Sequence, residues 1–130
     1  MQVSNGFCAE TFVTLASPQV SRQVAFYKEL LRTLPVLQTD SYAEFQLPGL
    51  RLAIFSPNQE NAAEFAARSS GPMSLCLEVD SLEDAIAHLK SIGHAPPGEI
   101  MHTSHGQEIY AYDPDGNRLI LHQSPNRMTS

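Results

Sequence analysis

Tyr42–Phe55 reads YAEFQLPGLRLAIF, and Ile109–His122 reads IYAYDPDGNRLILH. Laid over each other at a constant offset of 67, they pair Phe45 with Tyr112, Gly49 with Gly116, Arg51 with Arg118, Leu52 with Leu119 and Ile54 with Leu121. Each copy is an alternating run, a turn carrying Pro and Gly, and a second alternating run. Alternation sends successive side chains to opposite faces of an extended strand, and Pro with Gly suits a tight turn, so each copy reads as a β-hairpin. A hairpin repeated half a chain apart implies one domain of two similar halves, with function between them.

The flanking residues follow the same plan twice. Thr11 to Ala16 reads as a strand, and Ser17-Pro18 offers an N-cap followed by a first-turn proline. Val20, Val24, Tyr27 and Leu31 then fall at helical spacing, giving a helix to Thr33 that Pro35 stops. A short strand over Val36–Asp40 precedes the first hairpin. In the second half Met73–Val79 reads as a strand, Ser81 opens a helix with Asp84 three residues on, and Gly93 ends it. A loop around Pro96-Pro97-Gly98 leads to strands at Ile100–Thr103, Glu108–Tyr112 and Arg118–His122, and the polar tail after Ser124 is expected to fray. The polar, Ala-rich stretch between the prolines at 57 and 72 reads as a linker, with a helical turn at Ala62–Ala67. The expected organisation is a single domain over 1–130, with module one over about 8–57, a linker over about 58–71 and module two over about 72–124.

Composition narrows the function classes. Eight Lys and Arg against fourteen Asp and Glu give a net charge of −6, with no basic cluster. That argues against nucleic acid and against an anionic membrane surface as partners. No apolar run approaches the roughly 20 residues of a membrane span. The first residues, MQVSNGFCAE, lack the basic-then-apolar pattern of a secretory signal, so a cytoplasmic location is expected. Cys8 and Cys76 stand alone, make no CxxC motif, and are expected to be reduced.

The order β-α-β-β-β, linker, β-α-β-β-β resembles the glyoxalase / bleomycin-resistance / extradiol-dioxygenase superfamily, also called vicinal-oxygen-chelate proteins. Three motifs carry the resemblance: Tyr112-Asp113-Pro114-Asp115-Gly116-Asn117 before the last strand, Val24 to Leu31 closing the first helix, and Leu77-Glu78-Val79-Asp80 entering the second. Arg32 stands where glycine is usual. The resemblance implies an α+β fold of two tandem βαβββ modules, whose half-barrel sheets enclose a cavity with the helices outside. It also implies a homodimer, in which modules pair within one chain or across two.

Members of that family usually hold one divalent metal with His or Gln from the first strand of each module and Glu from the last. Carried over, the first-strand positions are Phe12 and Ser74, and the last-strand positions are Ala53 and Ile120. A phenyl ring, a hydroxyl, a methyl and a sec-butyl group do not make a Zn or Fe site. No metal and no cofactor is therefore expected. The five histidines, His88, His94, His102, His105 and His122, all lie in the second half and read as scattered surface residues. His102 and His105 lie three apart at a strand end, where their side chains diverge.

Strand parity then defines the inner faces. Arg118, Ile120 and His122 share one face of the last strand; pairing across the hairpin sets Tyr110 opposite Ile120 and Tyr112 opposite Arg118. Ser74 and Cys76 face the same way, as do Phe12, Thr14 and Phe55 in the first module. The expected ligand-binding set is thus Phe12, Thr14, Phe55, Ser74, Cys76, Tyr110, Tyr112, Arg118, Ile120 and His122. Such a wall suits an organic molecule with a flat or apolar body and an anionic end, with Arg118 to pair with a carboxylate or phosphate. His122 is the candidate acid or base, an imidazole being the side chain in this set best suited to proton transfer, with Glu108, opposite it across the hairpin, as the candidate orienting carboxylate. The expected function is metal-free binding of a small organic molecule, as in the bleomycin-resistance branch. The alternatives are a lyase, isomerase or dioxygenase with relocated metal ligands or a metal-free mechanism through His122, and a structural module whose aromatics fill the cavity.

Overall fold

The structure, a computed structural model, describes residues 6–66 and 71–127. The linker's 67–70, including the end of the expected turn at Ala67, and the tail's 128–130 lie outside the described residues.

The first module is β1 (Val13–Ala16), α1 (Val20–Leu31), β2 (Leu37–Gln38), β3 (Tyr42–Leu47) and β4 (Leu50–Phe55). The second is β5 (Leu75–Glu78), α2 (Leu82–Ser91), β6 (Met101–Thr103), β7 (Gly106–Tyr112) and β8 (Arg118–Gln123). A 3-10 turn at Ala62–Phe65 lies between them, and another at Pro125–Arg127 follows β8. Each module forms its own four-stranded sheet, in the orders β1-β4-β3-β2 and β5-β8-β7-β6. The last strand of each hairpin runs parallel to the first strand of its module, Val13 beside Leu52 and Leu75 beside Leu119. The fold is α+β with two tandem modules, and the sheets do not close into a barrel.

The repeat holds in backbone detail. Gly49 and Gly116 both take positive φ, at 77° and 89°, which fits a turn that an L side chain would strain. At the C-cap of α1, Arg32 takes the same left-handed conformation (φ 52°) that Gly93 takes (φ 86°) after α2. A side chain there costs roughly 1–2 kcal/mol relative to glycine. Arg32 Nη2 reaches His88 Nδ1 at 3.3 Å, one contact offsetting that strain.

The outer faces of both sheets bury one continuous core. Ala43, Phe45, Leu52 and Ile54 of the first sheet meet Val20, Val24, Phe26 and Tyr27 of α1; Ile109, Ala111, Leu119 and Leu121 meet Leu82 and Leu89 of α2. Burying each large aliphatic side chain is worth about 1.5–3 kcal/mol, which is why helices of ten and twelve residues hold here. Two helix and tail expectations are corrected. The α1 cap is Gln19, not Ser17, although Ser17 Oγ accepts the Gln19 N–H at 3.1 Å. After Ser124 the chain does not fray at once: Arg127 pairs with Asp80 at 2.6 Å and with Glu78 at 3.3 Å. Ser81 does cap α2, its Oγ accepting the Asp84 N–H at 3.1 Å. No helix among the described residues is long and apolar enough to cross a membrane.

The modules are joined by a buried carboxylate. Asp113, 4% exposed, accepts from Tyr27 Oη at 2.6 Å and Gln23 Nε2 at 2.7 Å, both on α1. It also accepts the backbone N–H groups of Asp115 and Asn117 and the Asn117 side-chain amide, at 3.0, 2.9 and 2.8 Å. Arg22 on α1 adds an ion pair to Asp115 at 3.0 Å. Burial, and then the facing Asp113 carboxylate, push the Tyr27 phenol well above its ordinary range.

Tyr27→Phe leaves the carboxylate one donor short and is expected to cost about 1–3 kcal/mol, read as a lower urea midpoint at unchanged slope. Because the folded-state value of Tyr27 is raised, its contribution is complete below the unfolded phenol value of about 10 and is lost as pH climbs above it. The stability gap between wild type and Tyr27→Phe therefore narrows in melts above about pH 10.

Candidate functional site

On the first sheet, Thr14, Arg51, Ala53 and Phe55 share the inner face, since β1 and β4 pair Thr14 with Ala53 and Ala16 with Phe55. Arg51 lies over the Phe12 ring, 4.1 Å from its centroid, and forms an ion pair with Glu10. Ala53 is fully buried. Beside it Tyr42 Oη donates to Glu44 Oε2 at 2.6 Å, and that bond raises the Tyr42 phenol. Phe55 packs edge-on against Phe65 of the linker, with centroids 5.3 Å apart.

On the second sheet the register sets Tyr110 opposite Ile120, Tyr112 opposite Arg118 and Glu108 opposite His122. The parallel pairing sets Cys76 beside Ile120 and Glu78 beside His122. Ser74, Cys76, Tyr110, Tyr112, Arg118, Ile120 and His122 therefore lie along one face. Arg118 Nη1 donates to the Gly71 carbonyl at 3.0 Å and to Ser74 Oγ at 3.1 Å. The two equivalent arginines thus each contact the residue just before their module's first strand, Phe12 in one case and Ser74 in the other.

His122 has a different carboxylate from the one expected. Its Nδ1 lies 2.7 Å from Glu78 Oε1. Glu108 is directly opposite in register, but the bond goes across the parallel ladder instead. Glu78 Oε2 accepts the Ser124 N–H at 2.8 Å and faces Arg127 Nε at 3.3 Å. The hydrogen bond from His122 is the main cause that holds the Glu78 carboxyl below its usual range; Ser124 adds to it and burial opposes it. An ionised Glu78 only accepts, so the hydrogen bond runs from His122 Nδ1 to Glu78.

The expected cavity between the two sheets is not closed by one chain. The modules meet through α1, α2 and the Asp113 turn, and the two sheets stay separate. Phe12 is 40% exposed and Tyr110 37%, and Thr14 and Cys76 are exposed as well. No hydrogen bond or ring contact joins the Phe12, Thr14 and Phe55 group to the second-sheet group among the described residues. A cleft of about 780 Å³ runs between the β3–β4 turn, β5 and α2, and of the expected residues it takes in Cys76. Two of the histidines are also not plain surface residues. His88 Nε2 donates to the Glu29 carbonyl at 2.7 Å, and His94 stacks edge-on with Phe26, centroids 4.7 Å apart.

A family model described as the Glyoxalase/Bleomycin resistance protein/Dioxygenase superfamily matches residues 11–121. The chain belongs to this superfamily. Solved structures agree on the fold. Protein ATC0852 from Agrobacterium tumefaciens is 25% identical over 87% of this chain and 94% of its own, with a TM-score of 0.73. A glyoxalase-related enzyme from Fulvimarina pelagi is 22% identical over 91% and 90%, TM-score 0.73. The fosfomycin resistance protein FosX from Listeria monocytogenes is 15% identical over 95% and 100%, TM-score 0.73. No curated protein matches the sequence.

The superfamily's divalent metal does not fit the residues present. At the four carried-over positions, Phe12 lies under a guanidinium, Ser74 Oγ is bonded to Arg118, Ala53 is a buried methyl and Ile120 is aliphatic. Among the described residues no three or more His, Cys, Asp or Glu are grouped to hold a metal. Glu78, Arg127 and Glu10 were missing from the sequence reading of this face. Glu78 alone left a signal: it falls two residues after Cys76, on the same strand parity.

Since the folded-state carboxyl of Glu78 is depressed, its contribution is present above the ordinary glutamate value of about 4.3 and is lost as pH falls through the depressed one. Calorimetric melts should show Glu78→Gln less stable than wild type near neutrality, with the difference vanishing below about pH 4.

Proposed function

We propose that the chain is a metal-free, small-molecule-binding member of the superfamily. It takes an organic ligand with a flat or apolar body and a carboxylate or phosphate end on the inner face of the second sheet. A second copy of the chain covers that face.

The observation that carries this reading is Arg118. Its Nη1 is committed to Gly71 and Ser74, which fixes the guanidinium, while its other N–H groups bond nothing else among the described residues. A fixed guanidinium with free donors suits a bidentate anion. Beside it Tyr110, Tyr112 and Ile120 supply the apolar floor. The part-exposed Phe12 and Tyr110 support a covering copy, since aromatic groups on an open sheet face are typical of surfaces that bury on association. A cytoplasmic setting, with both cysteines reduced, accords with this reading.

Light scattering on the eluting protein is expected to give twice the 14.3 kDa chain mass. In a titration with aromatic carboxylates and aryl phosphates, Arg118→Ala is expected to weaken binding about ten- to a hundredfold, as loss of a charged hydrogen-bond pair does. A monomer whose binding ignores Arg118→Ala, or stoichiometric zinc, nickel, manganese or iron in the purified protein, would overturn the reading.

A further inference from the structure

We propose that the Glu78–His122 pair makes this face a metal-free proton-transfer site, acting on a carbon acid that carries an anionic group. The inference rests on the binding reading above, because Arg118 holds the anion.

Glu78 is fixed at both oxygens, by His122 Nδ1 on one and by Ser124 and Arg127 on the other. In this proposal Nε2, the nitrogen that Glu78 does not engage, is the base, and the imidazolium it forms meets a carboxylate already in place. This is the constellation by which a carboxylate prepares a histidine as general base. His122 is only 21% exposed at the side chain, whereas Glu78 reaches solvent more freely at 38%. Nε2 bonds nothing among the described residues. The titratable groups in register around it are Glu78 and Cys76 on β5 and Glu108 and Tyr110 on β7, with Arg127 behind Glu78. Arg118 lies four residues away on the same strand and face, roughly 13 Å along it. A ligand whose anion sits at Arg118 and whose body crosses Ile120 would bring a carbon next to its carbonyl to His122.

The donor set makes no metal centre, so the chemistry within reach of an oriented imidazole is proton transfer. The C–H bond breaks and its proton joins Nε2. The electron pair moves onto the carbonyl oxygen as an enolate, toward which the Tyr110 hydroxyl, which bonds nothing among the described residues, can donate. The imidazolium exchanges its proton with solvent and returns one to that carbon or to a neighbouring one, so the net reaction is hydrogen exchange at the carbon or isomerisation. No oxidant or co-reactant is needed.

The test follows deuterium incorporation from D2O into 8-oxononanoate, 10-oxoundecanoate and 4′-acetylbiphenyl-4-carboxylate, keto acids long enough to reach from Arg118 toward His122, by proton NMR, with binding measured in parallel from chemical-shift changes. Wild type is expected to accelerate exchange. His122→Asn should lower the rate about a hundredfold or more with binding retained. Glu78 is a positioning residue: Glu78→Gln should lower kcat about tenfold at unchanged KM, and Glu78→Asp should recover part of it. Folding of each variant is checked by its amide spectrum. Probes that bind wild type without exchange, or with exchange indifferent to His122→Asn, overturn the proton-transfer inference and leave the binding reading standing. Failure of all three probes to bind at millimolar concentration overturns both.

Discussion

Asp113 ends β7 with its carboxylate buried beneath α1 of the other module, and it takes hydrogen bonds from both modules at once. A carboxylate removed from water costs several kcal/mol unless its lone pairs are satisfied. Here five donors satisfy them. Three belong to the turn itself and can form as soon as the turn does; the Tyr27 and Gln23 donors exist only once α1 is docked. The network thus penalises any packed arrangement in which the halves are slipped, because the Tyr27 hydroxyl and the carboxylate would then both be buried short of a partner. The hydrophobic core holds the modules together without direction, and Asp113 gives the contact its register.

The repeat does not reproduce this lock on its other side. An offset of 67 from Asp113 leads to Gln46, which is exposed and bonds only its own turn, at Leu47 and Leu50. The helix offset, 93 − 32 = 61, makes His88 the counterpart of Tyr27. His88 does not reach the opposing turn; it bonds Glu29 and Arg32 at the end of α1. Where the Asp113 side is joined by two hydrogen bonds from α1 and the Arg22–Asp115 ion pair, the equivalent side leaves a cleft between the β3–β4 turn and α2. The pseudo-symmetric pair of joints is thus unequal: one turn is bonded to the facing helix and the other is not.

The two hairpins were legible in the sequence because alternation and turn chemistry are local. Pairing Phe45 with Leu52 or Tyr110 with Ile120 needs only the turn position and the period of two. The parallel pairing of β5 with β8 is a different matter. It joins residues more than forty positions apart through a helix, so no local signal sets which residue of β5 meets His122, and the partner chosen from the hairpin alone was Glu108 rather than Glu78. The Asp113 lock was half legible: its turn motif stood out, but its donors lie 86 and 90 residues away on the buried face of a helix that read simply as apolar with one glutamine. The open inner faces were not legible at all. Two similar half-sheets permit a cavity between them, and which of their surfaces meet depends on the asymmetric side-chain contacts just described.

Those contacts also move the polar chemistry along the second sheet. The resemblance to the superfamily implies a metal-ligating acid at the position of Ile120, in the middle of the last strand. In this chain the centre is apolar, Ile120 with Tyr110 and Cys76 around it, and the charge has gone to the ends: a guanidinium at Arg118 and an imidazole–carboxylate pair at His122 and Glu78. An apolar centre between two separated polar groups cannot gather the two vicinal oxygens of a chelated substrate onto one point. The ligand proposed above is elongated for this reason: its anionic end and its reacting carbon must meet groups at opposite ends of the face. With an alkyl group at Ala53 and Ile120 and a carboxylate held behind His122, the polar groups of this face stand apart from one another instead of converging on one point.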